Sequence, residues 1–248
     1  MKKSFLLILL FSCCYVGSLF AQATSDTQPL YYIVERNAAM HAQPDGSSEK
    51  VGNFSFREPV YLVKRVGLWS QVRTKDGQEG FVRNSTISNV WIRVSKSTQT
   101  IYVYEGTKLL KEIPADLGYN SFADKERRGS LRDRDHWRTP EGTFFVTKKN
   151  DRSQYYKAFV LNYPSREDAE RGLKQGLITR EEYHAIARAE AMFETPPMNT
   201  ALGGMIEIHG KGTGARNNWT QGCVAIPNEE MDDLWNLVKV GTPVLITQ

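Results

Sequence analysis

The chain has 248 residues, with 32 basic and 28 acidic side chains and a formal charge of only +4, so its charge gives no reason to propose a nucleic-acid partner. The length suffices for one large or two ordinary domains with a real hydrophobic core. An obligatory disulfide framework is therefore not expected.

The N-terminus reads MKKSFLLILLFSCCYVGSLFAQATSDTQ. Lys2 and Lys3 precede an apolar run and small residues stand at Ala21 and Ala23, the layout of a secretory signal peptide over 1–23 cut after Ala23. Residues 24–30 then form a short linker. A competing reading takes Leu10-Phe11-Ser12-Cys13 as a lipoprotein signal with Cys13 acylated, but Phe11 fits it poorly and the apolar stretch continues to Phe20. A retained membrane anchor fits less well, because the run is interrupted and short of the ~20 apolar residues of a spanning helix. No later segment comes near that length, so no integral span is expected in the mature chain. Loss of residues 1–23 removes two lysines and no acids, leaving 30 − 28 = +2.

Residues 31–88 read as short strands separated by turns, and the Lys75-Asp76-Gly77-Gln78 turn between two alternating segments is a hairpin signal. Five or so strands in so short a stretch predict a small all-β barrel, with Trp69 and Phe81 as core rather than ligand platform. The pattern LWSQVRTKDGQEGFV resembles the bacterial Src-homology-3-like domain. That resemblance implies binding of cell-wall peptide or packing on a neighbouring catalytic domain.

A second domain is predicted over 90–248. Ile101 and Val103 alternate with Tyr102 and Tyr104, which is strand periodicity, and Glu105-Gly106 makes a hairpin turn. The charge-rich stretch 119–138 predicts a long solvated loop, and TPEGTFFVTKK resumes a strand. Within 165–193 two helices are expected, with Ser165/Asp168 and Thr179/Glu182 spaced as capping boxes and Gly176 as the break between them. This helical insertion interrupts a β domain, either as a lid or wall beside a cleft or as plain structure. His184 on its second helix reads as a surface or packing residue. A strand through ALGGMIEIHG delivers His209, residues 229–240 suit a short amphipathic helix, and TPVLITQ closes as a strand. The fold class expected is thus mainly β, a small barrel followed by a β-rich domain with a helical insertion.

Cys13 and Cys14 lie in the leader, which leaves Cys223 alone in the mature chain. It is either a buried small hydrophobe or a nucleophile. A thiol attacks as thiolate and, with an ordinary pKa near 8.5, needs a base. His209 at the end of a strand is the candidate, and a carbonyl such as that of Gly210 can orient its other ring nitrogen. Gly222 permits close approach of backbone to substrate, and the amides of Gly222 and Cys223 are candidate donors to an oxyanion. Gln221, Arg216 and Trp219 complete the candidate substrate-binding set.

IEIHGKGTGARNNWTQGCVAI, with the earlier RTPEGTFFV, resembles the L,D-transpeptidase catalytic domain of the YkuD type over about 90–248. The resemblance implies Cys223 as nucleophile, His209 as its base and Gly210 as the third member. It also implies attack on the third residue of a peptidoglycan stem peptide, usually a diamino acid, with loss of the terminal D-alanine. The acyl group then passes to another stem, to a wall-anchored protein or to water, with no metal and no organic cofactor. Export across the inner membrane to a periplasmic or cell-wall location goes with this reading. Two departures stand out: Gln221 replaces a second histidine of the family pattern and Ala225 replaces an arginine. Arg216 is the candidate substitute cation, and the 119–138 loop and the helical insertion are candidates for shaping the donor and acceptor grooves. Alternatives are an L,D-carboxypeptidase or wall-protein-releasing hydrolase on the same fold, or a non-catalytic wall-binding protein. A cell-wall peptidase of the NlpC type is disfavoured, because there the cysteine precedes the histidine in the chain.

Overall fold

The computed structural model describes residues 28–248. The expected leader with Cys13, and the 24–30 linker up to residue 27, lie outside the described residues. The molecule is mainly β, as expected, with three α-helices among the described residues.

The N-terminal part consists of β1 (Leu30–Ile33), β2 (Ala38–His41), β3 (Lys50–Phe54), β4 (Pro59–Val66), β5 (Trp69–Arg73), β6 (Glu79–Arg83) and β7 (Ile87–Ser88). They form one sheet in the order β3-β2-β6-β5-β4-β1-β7, every pair antiparallel. Alternate residues from all seven strands, among them Ile33, Met40, Val60, Val72 and Val82, meet in one core. One sheet can supply a single core from all its strands only by curling around it, which is the small barrel expected, with two more strands than the pattern suggested. The Lys75–Gln78 turn is present, with Gly77 at φ +93°, a conformation that costs glycine little. Trp69 is buried, edge-to-face with His41 and beneath the Arg83 guanidinium, whereas Phe81 is half-buried.

The rest of the chain runs β8 (Val90–Ser95), β9 (Thr100–Glu105), β10 (Lys108–Pro114), β11 (Leu117–Gly118), β12 (Gly142–Ser153) and β13 (Tyr156–Leu161). It continues with α1 (Arg166–Lys174), α2 (Arg180–Ala191), β14 (Glu207–His209), β15 (Asn218–Thr220), β16 (Val224–Ala225), α3 (Asn228–Leu237) and β17 (Pro243–Thr247). Eight strands form a mixed sheet in the order β10-β9-β8-β17-β12-β13-β14-β16, and β11 pairs with β15 separately. Ile92, Val94, Ile101, Val103, Phe144 and Ile208 lie in its core, and α3 adds Met231 and Leu234 to that core.

Both capping boxes in the helical insertion form: Ser165 with Asp168, and Thr179 with Glu182. The two helices and the turn between them bury Ala169, Ile178 and Ile186 against Leu202. His184 is exposed beside the Tyr183 ring. The chain beyond α2 meets the barrel. Arg36 donates to the carbonyls of Met192 and Phe193, Phe56 packs on Phe193, and the Arg57 guanidinium lies 5.4 Å from the rings of both Phe145 and Phe193.

Candidate active site

β14 and β16 run parallel at one edge of the large sheet, with Ile208 opposite Val224 and His209 opposite Ala225. Cys223, immediately before β16, stands opposite Glu207. Because side chains alternate across a strand, Glu207, His209, Cys223 and Ala225 all project from one face. Diagonal neighbours in such a pair stand about 7 Å apart, and His209 and Cys223 open on the same cleft of about 600 Å³.

His209 is almost fully buried. Its Nδ1 lies 2.7 Å from the Gly210 carbonyl oxygen. A carbonyl only accepts, so Nδ1 carries the proton and Nε2 keeps its lone pair for the cleft. Tyr155, from the β12–β13 turn, stacks on the imidazole at 4.3 Å, and Trp219 approaches its edge at 6.2 Å. Burial lowers the His209 pKa, against weaker opposing effects from the Gly210 carbonyl and Asp116, and keeps the ring neutral.

Cys223 is partly exposed to the cleft, and its thiol donates to the Met205 carbonyl at 3.3 Å. Burial pushes the thiol up to about 12, the Glu207 carboxylate adding to the rise, while the Glu207 backbone N–H and the Lys125 ammonium oppose it. Both shifts favour the thiol and the neutral imidazole over a thiolate–imidazolium ion pair. Gly222 adopts φ +129°, and a Cβ there would stand 2.5 Å from the Arg138 carbonyl oxygen, so only glycine fits. Its N–H is taken by Thr220 Oγ1 at 3.1 Å, so it is not free for an oxyanion as the sequence suggested. The Cys223 N–H has no hydrogen-bond acceptor among the described residues.

The loop between His209 and Cys223 is held by Asp116, a residue that the sequence did not single out. Its carboxylate is wholly buried and accepts from Thr213 N at 2.7 Å, Thr213 Oγ1 at 2.8 Å, Asn217 N at 2.9 Å and Trp219 Nε1 at 2.8 Å. Burial alone would raise its pKa, but the donors outweigh burial and lower it. Asp116 also exchanges both backbone hydrogen bonds with Ala225 and so covers the outer edge of β16.

The cations of the cleft were not those expected. Arg216 is exposed, adopts φ +58° and donates to the Thr98 carbonyl at 3.2 Å; it does not line the cleft. Lys125 and Arg128 do. Lys125 is buried and donates to the carbonyls of His136 at 3.1 Å and Gln221 at 3.4 Å; burial brings it down to about 8. Stretch 119–138 thus folds over Cys223 as a wall and is not wholly a solvated loop. The helical insertion reaches the cleft only indirectly. Arg171 of α1 binds the Lys125 carbonyl, Asp124 and Asp168 from behind, and it is the chain after the helices, at Met198 and Gly203–Met205, that forms the opposite wall. Trp219 and Gln221 sit at the rim, both exposed.

The family model of the L,D-transpeptidase catalytic domain, YkuD, matches residues 89–246, and that of a bacterial SH3 domain, SH3_3, matches residues 36–88. No curated protein matches the chain. Among solved structures, Bd1075 of Bdellovibrio bacteriovorus is 22% identical, with 65% of this chain and 48% of that one covered and a TM-score of 0.39. An L,D-transpeptidase from Xylanimonas cellulosilytica is 16% identical, with 64% and 61% covered and a TM-score of 0.37. One from Mycobacterium smegmatis is 14% identical, with 88% and 82% covered and a TM-score of 0.37. The chain therefore spans about half the length of the first of these and less than two thirds of the second.

Proposed function

We propose that this chain, which belongs to the YkuD family of L,D-transpeptidase catalytic domains, is a peptidoglycan L,D-transpeptidase that acts through a thioester on Cys223. As Cys223 attacks the carbonyl of the stem's third residue, its proton passes to Nε2 of His209 and the S–C bond forms. The oxyanion takes the Cys223 N–H, with Gly222 allowing the close approach. The C–N bond to the terminal D-alanine then breaks, and His209 returns the proton to the leaving amine. An acceptor amine attacks the thioester, loses its proton to His209 and displaces the sulfur, which recovers that proton.

The observation that carries this reading is the placement of His209 and Cys223 on one face of paired strands, over one cleft, with the His209 tautomer set by Gly210. The neutral resting pair fits a base that takes the thiol proton during attack. Acceptors on this reading are a second stem peptide or a wall-anchored protein, and the site of action is the periplasm or cell wall, after export across the inner membrane. The barrel, packed on the catalytic part, serves as a second wall contact.

Hydrolysis on the same thioester is a second reading. It is favoured by the exposed Gln221 and the buried Ala225, which put no basic side chain at either family position. Mass spectrometry of the purified protein with disaccharide-tetrapeptides, alongside Cys223→Ala, separates the readings. A dimeric muropeptide and an adduct on Cys223, both lost in the variant, support transfer. Tripeptide alone supports the carboxypeptidase. An unchanged product pattern in Cys223→Ala defeats both.

A further inference from the structure

Glu207 is a carboxylate that neither the proposed reaction nor the fold uses. It is only 6% exposed, lies two residues before His209 on the same face of β14, stands opposite Cys223 and lines the cleft. Among the described residues no side chain or backbone group hydrogen-bonds or ion-pairs with its carboxylate, and its oxygens are not shielded from solvent but open on the cleft. The residue is largely buried and its carboxylate reaches solvent through the cleft, so a ligand entering the cleft meets an acceptor that no protein donor occupies.

The charges around it define what fits. Lys148 on β12 is in the same cross-strand row, through Val160 of β13, and is exposed. Lys125 and Arg128 line the cleft from the 119–138 segment; Lys125 gives two of its three donors to the carbonyls of His136 and Gln221, Arg128 Nη2 serves those of Met198 and Thr200, and neither cation contacts Glu207. His209 is tied to Gly210 and neutral. None of these cations neutralises Glu207 by contact.

We propose that Glu207 is a specificity-determining residue, the binding site for an ammonium group of the substrate held beside the Cys223 sulfur. The identity of the ligand rests on the transpeptidase reading; the position of the negative charge does not. The ammonium belongs either to the side chain of the donor stem's third residue or to the acceptor amine, which in that case passes one proton to the Glu207 carboxylate before it attacks. Glu207 also raises the thiol pKa through its charge, and an ammonium seated on it lifts that opposition as the substrate binds. Substrate recognition and thiol activation are thereby joined in one contact.

The test uses full-length Cys223→Ala protein and synthetic tetrapeptides with a diamino third residue, its side-chain amine free or acetylated. The free-amine peptide is expected to bind about ten- to hundredfold more tightly, as a charge-assisted contact implies. Adding Glu207→Gln is expected to abolish that ratio, while Glu207→Asp retains part of it. Equal binding of the two peptides to Cys223→Ala, or an unchanged ratio with Glu207→Gln at unchanged Tm, overturns the assignment. On the wild-type protein, slower formation of the Cys223 adduct from the acetylated donor assigns the ammonium to the donor. Unchanged acylation with amine-driven release slowed by Glu207→Gln assigns it to the acceptor. Failure of both peptides to form an adduct, with the binding ratio intact, removes the transpeptidase reading and leaves the Glu207 site standing.

Discussion

Replacing Asp116 by asparagine tests whether one buried carboxylate holds the loop between His209 and Cys223. The carboxylate has two donors on each oxygen: Thr213 N and Trp219 Nε1 on Oδ2, Thr213 Oγ1 and Asn217 N on Oδ1. Asparagine oriented with its oxygen toward the first pair keeps both of those bonds, but the Thr213 hydroxyl, whose oxygen already accepts from Ala215 N and Asn217 Nδ2, loses its acceptor to the new NH2 group. The Asn217 N–H then faces that NH2 group without an acceptor. An orphaned donor costs about 1–3 kcal/mol, and two charge-assisted bonds become neutral ones, so the net loss is about 3 kcal/mol. For a chain of this size that lowers Tm by roughly 6 to 12 °C. Because Trp219 packs on His209, the adduct on Cys223 is expected to form at least about tenfold more slowly, in line with the cost of small misplacements. The pH dependence gives a further check. The folded-state pKa of Asp116 lies below its ordinary 3.8, so its stabilisation is present above 3.8 and is lost as pH falls through the folded value. Wild type and Asp116→Asn should therefore converge in acid. A variant with unchanged Tm and unchanged acylation at neutral pH would refute the claim that Asp116 holds the loop.

Burial of the Cys223 thiol makes iodoacetamide alkylation slow at neutral pH, with a rate that keeps climbing above pH 9. A plateau near 9 by mass-spectrometric quantification shows instead an ordinary thiol. Burial lowers His209, so the acid limb of kcat/KM is expected below 6.5, and the neutral ring's contribution to stability declines as pH falls from 6.5 toward the folded value; an acid limb at or above 7 contradicts this. Arg216→Ala is expected to leave acylation within about twofold, as for an exposed side chain outside the cleft. A tenfold loss in that assay returns Arg216 to the substrate site.

Local chemistry was legible in the sequence and distant chemistry was not. His209, Gly210, Gly222 and Cys223 sit in one short stretch whose glycines and strand pattern announce a turn between two strands, and both capping boxes could be read from residues three apart. Asp116 meets Thr213 across 97 residues of chain, and nothing in PADLG distinguishes a carboxylate that will gather four donors. Lys125 lies in ADKERRG, where a run of charge ordinarily means solvent; only the fold shows that one lysine turns inward. Arg216 failed for the opposite reason, because closeness in sequence to Cys223 suggested a role that its left-handed backbone turns toward Thr98. A signal for Glu207 was available. In Ile206-Glu207-Ile208-His209 the acid occupies the alternation position of the histidine, so any strand that delivers His209 to a site delivers Glu207 to it as well.

The barrel is seated on Phe193, at the end of the helical insertion, and the same run of chain continues to Met205, whose carbonyl accepts the Cys223 thiol. Excision of residues up to 88 would uncover Phe145 and Phe193 and remove Arg36 and Arg57 from the start of that run. For any exchange of modules, this seat is the constraint. A foreign barrel joined at the same point inherits no partner for this aromatic seat, so recombination of the catalytic part with other modules has to rebuild the seat before it can preserve the wall of the cleft.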